Sequence, residues 1–194
     1  MKPEPQPSVV RDRLLDLCVR YVLDRGLIGL SLRPLAAAIG TSDRMLIYHF
    51  GTKDLLVSAV IERANAMLTS AVGDDAVRSD STPSVGDVLR AAWDFMSTVE
   101  GKKLSRLYLE LCVLSGQDPQ RWVTAHRAMR NSWVALIGPT LRPITSAPRR
   151  QAVQRLAIDA IDGMLLDDLV TGESDQIRDA VDVLIELIEG LVDE

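Results

Sequence analysis

The sequence predicts an all-α protein of about nine helices, and three observations support this fold class. Apolar residues make up 47% of the 194-residue chain but aromatic residues only 4%, and a mixture dominated by Leu, Ala, Val and Ile favours helices. Apolar residues recur at helical spacing, whereas no segment alternates as a strand would. Capping residues, glycines and prolines divide the chain into segments of helical length.

Four helices are predicted before the middle of the chain, each with a hydroxyl residue at its start and most with a glycine just beyond the end. The second helix carries Pro34 in its first turn, where a proline is tolerated. The first helix is predicted to run from after Ser8 to before Gly26, and the second from after Ser31 to Ile39. The third is predicted to run from after Ser42 to residue 49, and the fourth from after Thr52 to about Val72.

A polar loop is predicted over residues 73–84, and five further helices follow it. Asp118 is expected to cap the seventh helix, with Pro119 at its first position. Gly138 and Pro139 end that helix, and Gly172 ends the next one. The predicted ranges of the five helices are 85–99, 102–115, 119–137, 147–171 and 175–192.

Charge is distributed unevenly along the chain, although the net charge is only -5. Residues 1–55 contain eight Lys/Arg and six Asp/Glu, a balance of +2, and the remainder contains fourteen and twenty-one, a balance of -7. A mildly basic N-terminal part and an acidic body suit a protein that contacts nucleic acid through its N-terminal part alone.

Several other classes of protein are disfavoured. The chain has two histidines and no hydrolase, zinc, P-loop or dinucleotide motif, so we expect no catalytic site, no metal and no cofactor. No apolar run approaches the ~20 residues of a membrane span. The Pro-rich arm over 1–7 lacks the apolar stretch of a signal peptide, so a cytoplasmic location is expected. Cys18 and Cys112 are interpreted as buried, reduced thiols.

Residues 31–56 predict a helix-turn-helix. Gly40 lies between two short helices, where a glycine accepts the left-handed conformation of a sharp corner. Small side chains at Ala36 and Ala37 allow the two helices to approach closely, and the second helix would present its N-terminal end to the major groove. The predicted inward-facing residues are Leu35, Ala36, Ile39, Leu46 and Phe50.

This segment resembles the TetR family of bacterial transcriptional regulators, in detail over residues 9–60. The resemblance implies a helix-turn-helix DNA-binding domain over 1–52 and a helical effector-binding and dimerisation domain over 53–194. Two departures are Ile47, where the family often has an aromatic residue, and Arg44, where a small residue is common. The matching elements are Ile39-Gly40 at a helix end, Ser42 as cap, Tyr48-His49-Phe50, and Lys53-Asp54-Leu55-Leu56 opening the next helix.

The resemblance and the side-chain chemistry together assign DNA contacts. Arg44 is expected to read guanine, Met45 to touch a thymine methyl, and Tyr48 to reach a phosphate. Each has a plainer interpretation: the hydroxyl residues as caps, Asp43 as a charge at a helix N-terminus, and the other charges as solvated. The predicted DNA-binding residues are Ser31, Arg33, Thr41, Ser42, Asp43, Arg44, Met45, Tyr48, His49, Thr52 and Lys53.

Large and soft side chains concentrate between residues 93 and 164. In TetR-like proteins this region holds a pocket for a small effector, and aromatic and Met side chains make an adaptable apolar lining. Ordinary core packing is the alternative for each. Asp159 and Asp162 share a helix face that would suit a cationic effector, and the plainer interpretation is a pair of surface carboxylates. Gly163 inside a helix indicates close approach of a helix or ligand. The predicted lining is Trp93, Met96, Tyr108, Cys112, Trp122, His126, Met129, Trp133, Asp162 and Met164.

The last two helices are apolar on more than one side. Such helices require a second partner, so we expect a two-fold, four-helix interface between two copies of the chain, as the resemblance also implies. The alternative is that their apolar stripes face the chain's own core. The predicted interface residues are Leu156, Ala160, Ile161, Leu165, Val181, Leu184 and Ile188.

These features predict a DNA-binding transcriptional regulator. We expect a repressor that binds an inverted repeat of double-stranded DNA as a homodimer, with half-sites separated by about 34 Å or a multiple of it, and that a small apolar effector releases. The alternative is a helical ligand-binding or adaptor protein of the same fold without operator binding. Arg33, Arg44, Tyr48 and Lys53 favour the first interpretation.

Overall fold

The computed structural model describes residues 7–76 and 82–193, and all regular elements in these ranges are helical. The predicted all-α class and helix number are confirmed. In chain order the helices are α1 Pro7–Arg25, α2 Leu32–Ala38, α3 Asp43–Phe50, α4 Lys53–Ala76, α5 Val85–Met96, α6 Val99–Gln117, α7 Pro119–Ile137, a 3-10 turn Gly138–Leu141, α8 Ala147–Thr171 and α9 Ser174–Asp193.

Helix boundaries differ from the prediction mainly around the corner between α5 and α6. Thr98 accepts a hydrogen bond from the backbone N–H of Gly101 at 3.0 Å, so α6 starts earlier than predicted. A Cβ at Gly101 would overlap the carbonyl oxygen of Phe95, so only glycine permits this corner. Helix α4 continues through Ala76, beyond its predicted end. The arm over 1–6 and part of the predicted loop, 77–81, lie outside the described residues.

Three of the five predicted side-chain caps are confirmed. Ser42, Thr52 and Asp118 accept hydrogen bonds from the backbone N–H groups of the residues three positions later, at 3.2, 3.2 and 3.3 Å. The Ser31 prediction is wrong, since its side chain makes no cap bond. Pro34 occupies the third helical position, where the donor for such a bond would otherwise lie. Ser8 lies inside α1 and does not precede it.

The described chain forms two compact units. The first comprises residues up to Ala66 together with Leu107–Arg127, and the second comprises Met67–Arg106 with the residues from Ala128 onward. Helices α4, α6 and α7 contribute residues to both. This division follows packing; the functional boundary after residue 52 stays a prediction.

The first unit packs α1, α2 and α3 around a small apolar core. Cys18, Leu35 and Leu46 are fully buried, and Phe50 is nearly so. Each such side chain contributes about 1.5–3 kcal/mol through removal of apolar surface from water. Gly40 has a φ of +72°, which confirms its predicted role at the corner between α2 and α3.

Helix α4 contains the segment Lys53–Asp74, which by length and composition is apolar enough to cross a membrane. The prediction that no segment approaches this length therefore needs correction. Buried helices of globular proteins pass the same test, and Leu56, Val57 and Ile61 of this segment are buried in the chain. Arg63 in its middle pairs with Asp16 of α1 at 2.7 Å, as expected of a helix that packs on another.

The second unit is built on α9, which packs against both α5 and α8. Gly86 of α5 allows close approach, because a Cβ there would lie 2.8 Å from a methyl carbon of Ile185. The start of α9 is held by an ion pair between a half-buried lysine and a buried carboxylate: Lys102 Nζ lies 3.0 Å from the Asp168 carboxylate and donates to Ser174 Oγ at 2.9 Å. Asp168 is almost inaccessible to solvent.

Candidate nucleic-acid interface

Helix α3 separates an anchoring side from an exposed side. Leu46 and Phe50 are buried against α1 and α2, and they lie four positions apart, on one side of the helix. Arg44 and Tyr48, also four apart, lie on the opposite side, where Arg44 is exposed and Tyr48 is 77% exposed. Met45 lies on the same exposed side at 41%. A planar cation, a thioether and a phenol are therefore open to solvent along one helix face.

The start of α3 is stabilised within the chain. Ser42 caps the helix through the Met45 N–H, and Asp43 Oδ1 accepts from the N–H of Arg44 at 2.9 Å. A carboxylate at this end also complements the helix dipole. These contacts favour the plainer interpretation of Ser42 and Asp43, and they leave Arg44 as the exposed cation at this end of the helix.

Lys53 and His49 are less available than the sequence predicted. Lys53 Nζ donates to the carbonyl oxygen of Leu30, and its side chain is half-buried. His49 Nε2 is buried with no hydrogen-bond partner among the described residues, while the ring meets Tyr48 edge-on at 5.0 Å between centroids. Lys53 therefore also links the start of α4 to the connection before α2, and the His49 ring is turned away from full solvent exposure.

The other predicted DNA-binding residues lie at the ends of short helices. Ser31 and Arg33 are exposed at the start of α2, Thr41 is half-buried, and Thr52 is exposed while it caps α4. Ile47 was treated only as a departure from the family pattern. It is 38% exposed and lies three positions from Arg44, so it extends the exposed face. The sequence could have indicated this exposure. Ile47 directly follows Leu46 and lies three positions before Phe50, so helical spacing puts it at the edge of the buried stripe and not in its centre.

Several solved structures of other proteins share the fold that carries this arrangement. No protein-family model and no curated protein matches the chain. Solved structures do match: a TetR-family regulator from Cytophaga hutchinsonii has a TM-score of 0.76 at 14% identity, covering 97% of this chain and 98% of that one. A TetR regulator from Legionella pneumophila has a TM-score of 0.73 at 16% identity, covering 96% and 98%. The chain has the TetR-family fold.

The TetR-family fold also occurs in the multidrug binding protein EbrR. Its complex with imidazole has a TM-score of 0.67 at 23% identity, covering 90% of this chain and 88% of EbrR. Its complex with proflavin has a TM-score of 0.61 at 25% identity, covering 90% and 98%. The resemblance seen in residues 9–60 thus extends to the fold of nearly the whole chain, and these neighbours are described as transcriptional regulators and a multidrug binding protein.

The predicted effector-lining residues are divided between the two units. In the first unit the rings of Tyr108 and His126 stack with centroids 6.0 Å apart, and Cys112 and Trp122 are half-buried. In the second unit the remaining six have different degrees of burial. Trp93, Met96 and Met129 are buried there, and Trp133, Asp162 and Met164 are half-buried.

In the predicted pocket, the Trp93 indole N–H is buried without a hydrogen-bond partner among the described residues. Asp162 lies 3.7 Å from the Arg130 guanidinium, which also binds Asp159, so these carboxylates already have a cation. A Cβ at Gly163 would meet no atom of the described residues within 4 Å, so the close approach predicted there is not made by this part of the chain.

The structure places most of the predicted dimer residues in the chain's own core. Ile161, Leu165, Val181, Leu184 and Ile188 are all buried, because this side of α8 and α9 faces the helices of the same unit. Leu156 is exposed and Ala160 is half-buried. Other apolar residues of these two helices are exposed instead, namely Leu166, Val170, Val183 and Leu187.

The two cysteines differ in environment. Both are free thiols, but Cys18 is fully buried whereas Cys112 is only half-buried. Burial raises the pKa of the Cys18 thiol to about 11, so it stays protonated near neutral pH. Within residues 7–76 and 82–193, no group of three His, Cys, Asp or Glu side chains is arranged to hold a metal ion.

Proposed function

We propose that this protein is a transcriptional repressor that binds an inverted-repeat operator as a homodimer in the cytoplasm and is released by a small effector. The observation that carries the proposal is the exposed face of α3, on which Arg44, Met45 and Tyr48 are open to solvent while Leu46 and Phe50 fix the helix. A helix held from one side and open on the other can enter a major groove without rearrangement.

Within this face the roles follow from chemistry. The Arg44 guanidinium fork fits the paired acceptors of guanine, and a good bidentate contact contributes about 1–3 kcal/mol of discrimination. Met45 and Ile47 offer apolar contact to thymine methyls. Tyr48, the most exposed of the set, reaches a backbone phosphate, together with Ser31 and Arg33 at the start of α2.

Dimerisation would use the exposed apolar stripes of α8 and α9. On α9 the stripe includes Val183 and Leu187, and on α8 it includes Leu156, Leu166 and Val170, all more than half exposed. Gly163 and Gly190 have open space above them on the same helices, so a partner helix can approach closely there. Two copies joined through this surface make a four-helix contact with two-fold symmetry, which matches an inverted repeat.

The effector we propose is a small, mainly apolar molecule. EbrR, which has the same fold, binds imidazole and proflavin. In this chain the large aromatic and Met side chains of the predicted lining are buried or half-buried within the two compact units, where they could surround such a ligand. The pairing of Asp162 and Asp159 with Arg130 disfavours a cation at those carboxylates, because it would have to displace the guanidinium. Effector binding would favour a conformation with lower operator affinity.

The test is fluorescence-anisotropy binding of the full chain to a duplex from its own upstream region, over a salt series, against a scrambled duplex. We expect preferential, saturable binding whose log affinity falls steeply with log salt. Arg44→Ala should lower affinity about tenfold or more and reduce sequence preference. Arg142→Ala, which removes the same charge from an exposed position in the second unit, is the matched control.

The outcomes separate the candidate functions. Equal, weak binding to both duplexes, followed by failure of a selection from randomised duplexes, would favour a ligand-binding or adaptor protein of the same fold. Specific binding that Arg44→Ala leaves unchanged would keep the regulator but remove the proposed reading face. Adding proflavin to the preformed complex then tests whether an aromatic ligand lowers operator affinity.

A further inference from the structure

The connection between α1 and α2 is held by a carboxylate from a distant helix. Glu110 of α6 accepts hydrogen bonds through Oε2 from the backbone N–H groups of Leu27 and Ile28, the second at 3.1 Å. The residues are more than 80 positions apart in the chain and lie in the same compact unit. The N–H groups of two successive residues therefore converge on one carboxylate oxygen.

The backbone at this corner is shaped to receive an anion. Gly26 has a φ of +89°, and successive N–H groups after a left-handed residue form a concave anion site. A Cβ at Gly26 would lie 2.7 Å from Oε1 of Glu110, so the carboxylate occupies the space that a side chain would take. Leu27 and Leu30 are buried on either side of the corner, which fixes its orientation.

The other end of the same connection is also held by a charged side chain. Lys53 Nζ donates to the carbonyl oxygen of Leu30, one residue before the predicted phosphate contact Ser31. The connection is thus bound at its start by an anion that accepts from N–H groups and at its end by a cation that donates to a carbonyl. Hydrogen bonds to charged groups are stronger than neutral ones, so both ends are firmly placed.

We propose that Glu110 is a positioning residue for operator binding: its carboxylate holds the α1–α2 connection and thereby sets the placement of α2 and α3 against DNA. The proposal rests on the proposed function, because it assigns a role in DNA binding to a residue outside the DNA-binding helices. Helix α2 packs on both α1 and α3, so displacement of this connection moves the reading face with it. Glu110 itself carries a negative charge, so it is expected to act through this connection and not through a phosphate contact.

Three variants of the full chain test the assignment. Glu110→Ala removes the acceptor, whereas Glu110→Gln removes the charge and keeps an oxygen that accepts both N–H groups. Glu100→Ala removes the same charge from an exposed position in the first turn of the same helix and is the control. Two quantities are measured: amide hydrogen exchange at Leu27 and Ile28 without DNA, and operator affinity over a salt series.

We expect Glu110→Ala to raise exchange at Leu27 and Ile28 by about tenfold or more, since a charged acceptor is lost. Operator affinity should fall by a similar factor, while the slope of log affinity against log salt stays unchanged, because no phosphate contact is removed. Glu110→Gln should restore most of both properties, and Glu100→Ala should match the wild-type chain in both.

Several results would overturn the assignment. Unchanged exchange in Glu110→Ala would mean that the carboxylate does not hold the connection. Faster exchange with unchanged operator affinity would show that the contact is structural only. Higher affinity in both Glu110→Ala and Glu110→Gln would show charge repulsion instead of positioning. If the wild-type chain binds no operator, the positioning role fails with the proposed function, and exchange still reports separately on the contact itself.

Discussion

Helices α3 and α9 differ in what their exposed sides carry. Both bury one apolar side, but the exposed side of α3 combines polar groups, Arg44 and the Tyr48 hydroxyl, with Met45 and Ile47, which are 41% and 38% exposed. On α9 the exposed apolar residues Val183 and Leu187 are 55% and 63% exposed. The exposed side of α3 therefore offers hydrogen-bonding groups beside modest apolar surface, whereas that of α9 still has larger apolar side chains to bury.

The starts of the two helices also differ. Helix α3 begins with a single hydroxyl cap, Ser42, at an exposed site. Helix α9 begins at Ser174 beside the buried Asp168 carboxylate and the Lys102 ammonium, which join residues of α6, α8 and α9. An exposed cap contributes only about 1 kcal/mol to the stability of the fold. A buried charge is destabilising by several kcal/mol once its partner is removed, so the start of α9 depends on Lys102 more than α3 depends on Ser42.

The largest effect is expected at the start of α9. Lys102→Met leaves the Asp168 carboxylate, 1% exposed, with Ser174 as its remaining partner among the contacts described. We expect a loss of about 3–5 kcal/mol of unfolding free energy, measured by urea denaturation, because an uncompensated buried charge is costly. The double variant Lys102→Met/Asp168→Leu should recover most of it; equal losses in the single and double variants would show that the ion pair is not responsible.

The two sides of α9 can be compared through neighbouring residues. Ile188 is 0% exposed and Leu187 is 63% exposed. Ile188→Ala should cost about 2–5 kcal/mol of unfolding free energy through the cavity it leaves. Leu187→Ala should leave subunit stability within about 0.5 kcal/mol but raise the dimer dissociation constant about tenfold, as sedimentation equilibrium can measure. An unchanged dimer would place the interface elsewhere.

The smallest effect is expected at the starts of the short helices α2 and α3. Ser42→Ala removes a cap hydrogen bond and should cost about 1 kcal/mol of unfolding free energy. Ser31→Ala, at the matching position before α2, removes no cap bond and should change stability by less than about 0.5 kcal/mol. Denaturation of both variants without DNA checks this, and equal losses would mean that the hydroxyl of Ser42 is not the stabilising group.

The order of these effects follows burial. The proposed DNA-binding face contributes little to stability, since Arg44 and Tyr48 are exposed, so their loss should alter operator affinity and leave the fold intact. Conversely, Lys102 and Ile188 contribute to stability far from that face in sequence. Stability and operator affinity can therefore be separated experimentally by the choice of residue.

Local patterns were enough to predict the number and order of the helices, the corner glycine at position 40, the caps at Ser42, Thr52 and Asp118, and the inward residues Leu46 and Phe50. These depend on helical periodicity and on hydrogen bonds between residues at most four positions apart, which a local pattern records. The failure of the Ser31 cap is local as well, since Pro34 removes the donor.

Which apolar side of α8 and α9 faces inward depends on packing between helices that are distant along the chain. Two apolar stripes on one helix are equivalent until neighbouring helices occupy one of them, and here α5 and α8 pack on the side with Val181 and Ile188. The contacts of Glu110 with Leu27 and Ile28, and of Lys53 with Leu30, were likewise invisible beforehand. They join residues that are distant along the chain, and nothing in the local sequence around either partner specifies the other.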